Sequence, residues 1–102
     1  MATLAEKLAL AGNATFIGQI KMQILIESST QLQAPRSTSS LTKAHKLISL
    51  ANSIVQSPDS YATIFANGIA ATSNLTSPVA DATVASAVTA AFPVIAGVTA
   101  ND

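Results

Sequence analysis

The chain has no cysteine and no tryptophan, with one tyrosine and three phenylalanines among its 102 residues. Without cysteine there is no disulfide, no thiolate nucleophile and no thiolate metal site, and the composition indicates neither an oxidising nor a reducing compartment. Charge is scarce too. Charged side chains make up 10% of the residues, against roughly a quarter in an ordinary soluble domain, which suggests that other copies or partners cover much of the outside, unless Ser, Thr, Asn and Gln solvate it instead. Five basic and five acidic side chains cancel. Gripping nucleic acid through its phosphates requires clustered Lys and Arg, and no basic run here exceeds two residues, so nucleic-acid binding is not expected. Gly12, Gly18, Gly68 and Gly97 stand apart from one another, which excludes a glycine-rich phosphate cradle.

What the chain does have is apolar residues at helical spacing. They make up 49% of a length that suits one domain over residues 1–102 and one core. From Leu41 the residues Ala44, Leu47, Ile48, Ala51, Ile54 and Val55 recur every three or four positions, while Thr42, Lys43, Lys46, Ser49 and Asn52 fall on the other side. That pattern predicts an amphipathic helix. At Ser57-Pro58-Asp59 a serine can accept from free amides, a proline suits the first helical position and an aspartate complements the helix dipole, so a new helix begins there. Its stripe is Tyr61, Ile64, Phe65, Gly68, Ile69 and Thr72, and so short a connection predicts an antiparallel helical hairpin at the centre of the fold.

The flanking segments complete an all-α bundle. Thr3 with Glu6 forms a capping-box pair that opens a short helix through Leu4, Leu8 and Leu10, with Gly12 to end it. Asn13 caps the next. From Phe16 to Leu32 apolar residues cover more than one stripe, which predicts a helix buried on most sides. The alternation of Ile20, Met22, Ile24 and Ile26 also fits a strand, but no partner strand is visible. Asp81, or Pro78 before it, opens a last helix striped by Val84, Val88, Ala91, Phe92 and Ile95, which Pro93 should kink or end. The expected architecture is four main helices near Asn13–Leu32, Leu41–Gln56, Pro58–Thr72 and Asp81–Ala96, after the short N-terminal one.

Residues Ala82 to Asn101 carry no charge, and that length could cross a bilayer. Their Ala, Ser and Thr content, the central Pro93 and the acidic flanks Asp81 and Asp102 favour instead an Ala-rich helix packed closely on a neighbour, so membrane contact is not expected. The opening residues lack the pattern of a secretory signal, and synthesis in the cytoplasm is expected. Asn13-Ala14-Thr15 and Asn74-Leu75-Thr76 are then chance matches to the glycosylation pattern.

No residue pattern commits the chain to catalysis. Ser40-Leu41-Thr42-Lys43 matches the Ser-x-x-Lys signature, but the Ser-Asp-Asn and Lys-Thr-Gly elements that complete such a site are missing, and Ser39 or Ser40 is better read as a helix cap. His45, the only histidine, has neither converging ligands nor a nucleophile that the sequence can place beside it, and it is expected to be structural or solvated. Among the carboxylates, Glu6, Asp59 and Asp81 have capping positions, leaving Glu27 and Asp102. The expected catalytic, cofactor-binding and metal-binding residues are none.

Several phrases spread along the chain resemble a known group. Met1-Ala2-Thr3-Leu4-Ala5-Glu6, Lys43-Ala44-His45-Lys46, Ser57-Pro58-Asp59, Asp81-Ala82-Thr83-Val84-Ala85 and Ala87-Val88-Thr89-Ala90-Ala91-Phe92 resemble, in order and spacing, small helical virion proteins of tailed bacteriophages. The chain departs from that group in having Tyr61 and Phe65 without tryptophan in the hairpin, and in continuing from Pro93 to Asp102. The resemblance implies a non-catalytic homo-oligomeric subunit at the head-to-tail neck, bound to portal, tail or major capsid protein, made in the host cytoplasm and found in the virion. A capsid decoration or cement protein is the nearest alternative. A membrane-active protein using residues 82–101, and a small enzyme whose site is completed by oligomerisation, are the rivals from other classes.

Overall fold

The computed structural model describes residues 3–33, 38–70, 72–73, 75–76, 78–94 and 98. Among these residues five α-helices follow one another: α1 Leu4–Ala11, α2 Ala14–Gln33, α3 Thr38–Gln56, α4 Ala62–Gly68 and α5 Asp81–Ala91, with 3-10 turns at Pro58–Tyr61 and Phe92–Val94. The fold is the expected all-α bundle of four main helices behind a short one, and there is no strand among the described residues. Ile20 to Ile26 lie inside α2. Their β-branched alternation gives way because an isolated strand would leave its backbone groups unpaired, whereas a helix pairs them internally.

Most helix starts follow the local chemistry. At α1 the Thr3 hydroxyl accepts from the Glu6 amide at 3.2 Å and the Glu6 carboxylate accepts from the Thr3 amide at 3.0 Å, a reciprocal capping box. Asn13 Oδ1 accepts from the amides of Thr15 and Phe16 at 2.9 and 3.1 Å, so α2 is capped as expected. Pro58 stands in the first turn after Ser57, but the Ser57 side chain makes no capping bond. Its carbonyl accepts from Ser60 instead, because the segment tightens into a 3-10 turn before α4 begins. The helix expected from Pro58 to Thr72 is therefore split at its start, and it ends at Gly68, where Ile69 turns extended. The last α-helix stops at Ala91 rather than Ala96, since Pro93 has no amide to continue the ladder. Ile95 and Ala96 fall outside the described residues.

The acid response of α1 follows from its cap. The Thr3 amide, and after it the Thr3 hydroxyl, hold the exposed Glu6 carboxyl below its ordinary value of 4.5. A carboxyl depressed on folding contributes stability above its unfolded pKa, and that contribution fades as pH falls through the lowered folded value. Protection of the α1 amides, measured against their intrinsic exchange rates, should therefore fall selectively below the ordinary carboxylate range. Glu6→Gln keeps the box without the charge and should remove that pH dependence; an unchanged acid response in this variant would assign it elsewhere.

An antiparallel helix pair is central, but it consists of α2 and α3 rather than the two arms that meet at Ser57-Pro58. α3 packs mainly on α2, and α4 packs on α5 and α1. Small side chains explain the pairing. Ala44 and Ala51 are fully buried on α3 and Ser28 is buried on α2, and the Ser28 hydroxyl donates to the Ala44 carbonyl at 3.3 Å, so the two backbones run close together. One hydrophobic cluster joins this pair to the rest: Phe16, Ile20 and Ile24 from α2, Leu47, Leu50 and Ile54 from α3, then Phe65, Val84 and Phe92.

The α4/α5 contact is closer still. A Cβ on Gly68 would sit 2.8 Å from the Ala90 Cβ, 2.9 Å from the Ala87 Cα and 3.0 Å from the Ser86 carbonyl oxygen, while the Ser86 hydroxyl donates to the Gly68 carbonyl at 2.6 Å. Only glycine fits there. The Ala-rich helix α5 is thus packed on a neighbour, and no helix among the described residues is long and apolar enough to cross a membrane. Gly68→Ala should cost about 1–3 kcal/mol by overpacking. Gly18, where an added Cβ would meet nothing within 4 Å, should instead gain about 0.5–1 kcal/mol on replacement by Ala. Denaturant unfolding of the two variants measures both, and equal signs would contradict this packing.

Candidate functional site

Among the described residues, those that could carry chemistry are brought together only along single helices. α3 begins at Thr38, so Ser39 and Ser40 lie in its first turn and not at its cap. Hydroxyl residues compete least with the helix ladder there, since the first amides have no intrahelical partner. Lys43, expected on the solvent side, is buried. His45 is exposed and lines a shallow groove of ≈ 460 Å³ with Thr42, Lys46, Ser49, Leu50 and Ser53. Every one of these residues comes from α3, and that helix contains no carboxylate to orient an imidazole.

The carboxylates are dispersed. Glu6 closes the α1 capping box, Asp59 and Asp81 stand in first turns, and Glu27 Oε1 accepts from the Gln31 side chain (Nε2) one turn along α2 at 3.2 Å. Asp102 lies outside the described residues. Among the described residues no group of three or more His, Asp or Glu is placed to hold a metal ion.

Apolar surface is the more prominent feature. On α3, Leu41, Ile48 and Val55 are exposed, although all three belong to the stripe expected to be buried. Leu50, absent from that stripe, is buried together with Lys43. The inward face of α3 is thus rotated by about 50° from the expected one. On α2 the expectation of burial on most sides also fails: Met22 and Ile26 are exposed, since among the described residues α2 packs mainly on α3 and, less extensively, on α5. Leu4 and Leu8 of α1 are exposed as well.

A second groove, of ≈ 320 Å³, runs between α2 and α5 and is lined by Thr15, Gly18, Gln19, Met22, Gln23, Asp81 and Val84. Its wall is fixed by a side-chain clamp that the sequence does not reveal. Gln19 Nε2 donates to the Val79 carbonyl at 2.8 Å and Gln19 Oε1 accepts from the Val79 amide at 3.0 Å, tying the approach to α5 onto α2 across sixty residues of chain. A glutamine at a helix surface gives no advance sign of such a partner. No protein-family model, curated protein or solved structure matches the chain.

Proposed function

We propose that this protein is a non-catalytic structural subunit of a tailed-phage virion, assembling in symmetric copies at the head-to-tail neck against portal or tail protein. The observation that carries the reading is the outward apolar surface on three helices, at Leu4 and Leu8, Met22 and Ile26, and Leu41, Ile48 and Val55, in a chain with only 10% charged residues. Such surface is costly to leave in water and is what repeated contacts between subunits bury. The placement in a phage particle rests on the resemblance of the spaced sequence phrases.

Purified particles provide the test. The protein should co-purify at a fixed stoichiometry. A count of about a dozen or fewer copies corresponds to a neck ring, and hundreds would assign it to the capsid surface as a decoration protein. Presence in infected cells but never in particles would sink both placements.

A further inference from the structure

We propose that Asn67 is a site of spontaneous covalent modification, held in check by the α4/α5 contact and released when the end of α4 opens. Asn67 is the one asparagine followed by glycine; Ala14, Ser53, Leu75 and Asp102 follow the others. Its side chain is exposed. A residue with no side chain leaves its amide nitrogen unshielded, so the Gly68 nitrogen is open to its neighbour's carboxamide. On losing its proton to a solvent base, that nitrogen attacks Asn67 Cγ. A nitrogen-carbon bond forms, the Cγ to Nδ2 bond breaks, and Nδ2 takes a proton from water and leaves as ammonia. Water then opens the succinimide ring at one carbonyl or the other, giving aspartate or isoaspartate.

The fold explains both why glycine stands at this position and what restrains the reaction. Gly68 fills the closest approach of α4 to α5, where an added Cβ would fall 2.8 to 3.0 Å from Ala90, Ala87 and Ser86. Asn67 and Gly68 form the last turn of α4, and the Ile69 amide closes that turn on the Ala66 carbonyl at 3.2 Å. Ring closure needs the reacting atoms in near-attack geometry, which a helical peptide, with its amide engaged in the ladder, does not supply. The last turn must therefore unwind first. Terminal turns fray readily, but this one is pinned by the Ser86 hydroxyl, which donates to the Gly68 carbonyl at 2.6 Å, and by Ile69, which is buried beside it.

Once the reaction has occurred, the turn does not close again as before. The product adds a negative charge to a chain of zero net charge, and adds it at the C-terminal end of a helix, where the dipole disfavours it. Isoaspartate also inserts an extra carbon into the main chain, next to a residue that has no space for even a Cβ. A transient opening of the α4/α5 contact is thus converted into a lasting one.

Peptide mapping of the full chain, incubated at mildly alkaline pH in native buffer and in urea, tests this by the mass change from amide to acid and by enzymatic methylation of isoaspartate. Asn67 should convert in urea, and about tenfold or more slowly in the fold. Ser86→Ala removes the hydroxyl bond and favours the α5 helix, so conversion at Asn67 in native buffer should rise roughly threefold to tenfold. Asn52, which is exposed on α3, reports opening of the whole molecule and should not change. Equal rates at Asn67 with and without urea would mean that the contact restrains nothing. An unchanged rate in Ser86→Ala, or a parallel rise at Asn52, would equally overturn a guard local to α4 and α5.

Discussion

Phe65→Ala is expected to destabilise the protein by about 3–5 kcal/mol, the range for deleting a fully buried aromatic ring. The Phe65 ring is inaccessible to solvent and stands edge-on to Phe16, with centroids 6.3 Å apart and planes at 84°. Tyr61 stacks on its other side at 6.1 Å and 25°. Phe16 belongs to the α2/α3 pair and Phe65 to α4, so this contact joins the two parts of the bundle. Truncation leaves a cavity that the backbone can close only by shifting α4, and α4 is held against α5 by the glycine contact at Gly68. A domain of this size has a total stability of only about 5–15 kcal/mol, so the variant should be near the limit of folding. Urea unfolding should show the midpoint falling with the slope kept. A loss under about 1 kcal/mol would mean that the ring does not bridge the two parts.

The features legible in the sequence were those decided within one or two helical turns. Thr3 with Glu6 and Asn13 mark helix starts because their side chains satisfy free first-turn amides locally, Pro58 because it has no amide to leave free, and Asp81 because its charge suits the first turn of α5, although it makes no capping bond. Pro93 stops α5 for an equally local reason. Which helices pair was not local. The short connection at Ser57 suggested that its two arms pack on each other, but the 3-10 turn at Pro58–Tyr61 redirects α4 toward α1 and α5, leaving α2 as the main partner of α3. The small residues Ser28, Ala44 and Ala51 select that pairing, and single-sequence periodicity does not weigh small residues heavily. The same limit applied to the surface. Apolar residues covered more than a third of the α3 circumference, and spacing alone could not tell which part faced α2 and which part faced outward.

The rotation of α3 leads to a sharp contrast between two adjacent residues. Leu47 is 1% exposed and Ile48 37%, although both belong to the same apolar stripe. Leu47→Ala should cost about 2–5 kcal/mol, through lost burial and the cavity left between α3 and the core. Ile48→Ala removes a side chain that is over a third exposed and places the best helix former at its site, so it should cost clearly less than Leu47→Ala, on the order of 1 kcal/mol. Lys43→Ala provides the control on the opposite edge. At a buried position it should exceed the roughly half a kcal/mol of a surface change, since a long lysine stem contributes packing as well as charge. These three values, measured by chemical denaturation at a concentration low enough to keep the chain monomeric, fix which way α3 faces. Equal losses at Leu47 and Ile48, with none at Lys43, would turn the helix back toward the stripe that spacing suggested. Leu41, Ile48 and Val55 would then lie in the core, and the outward apolar surface of α3 would be lost.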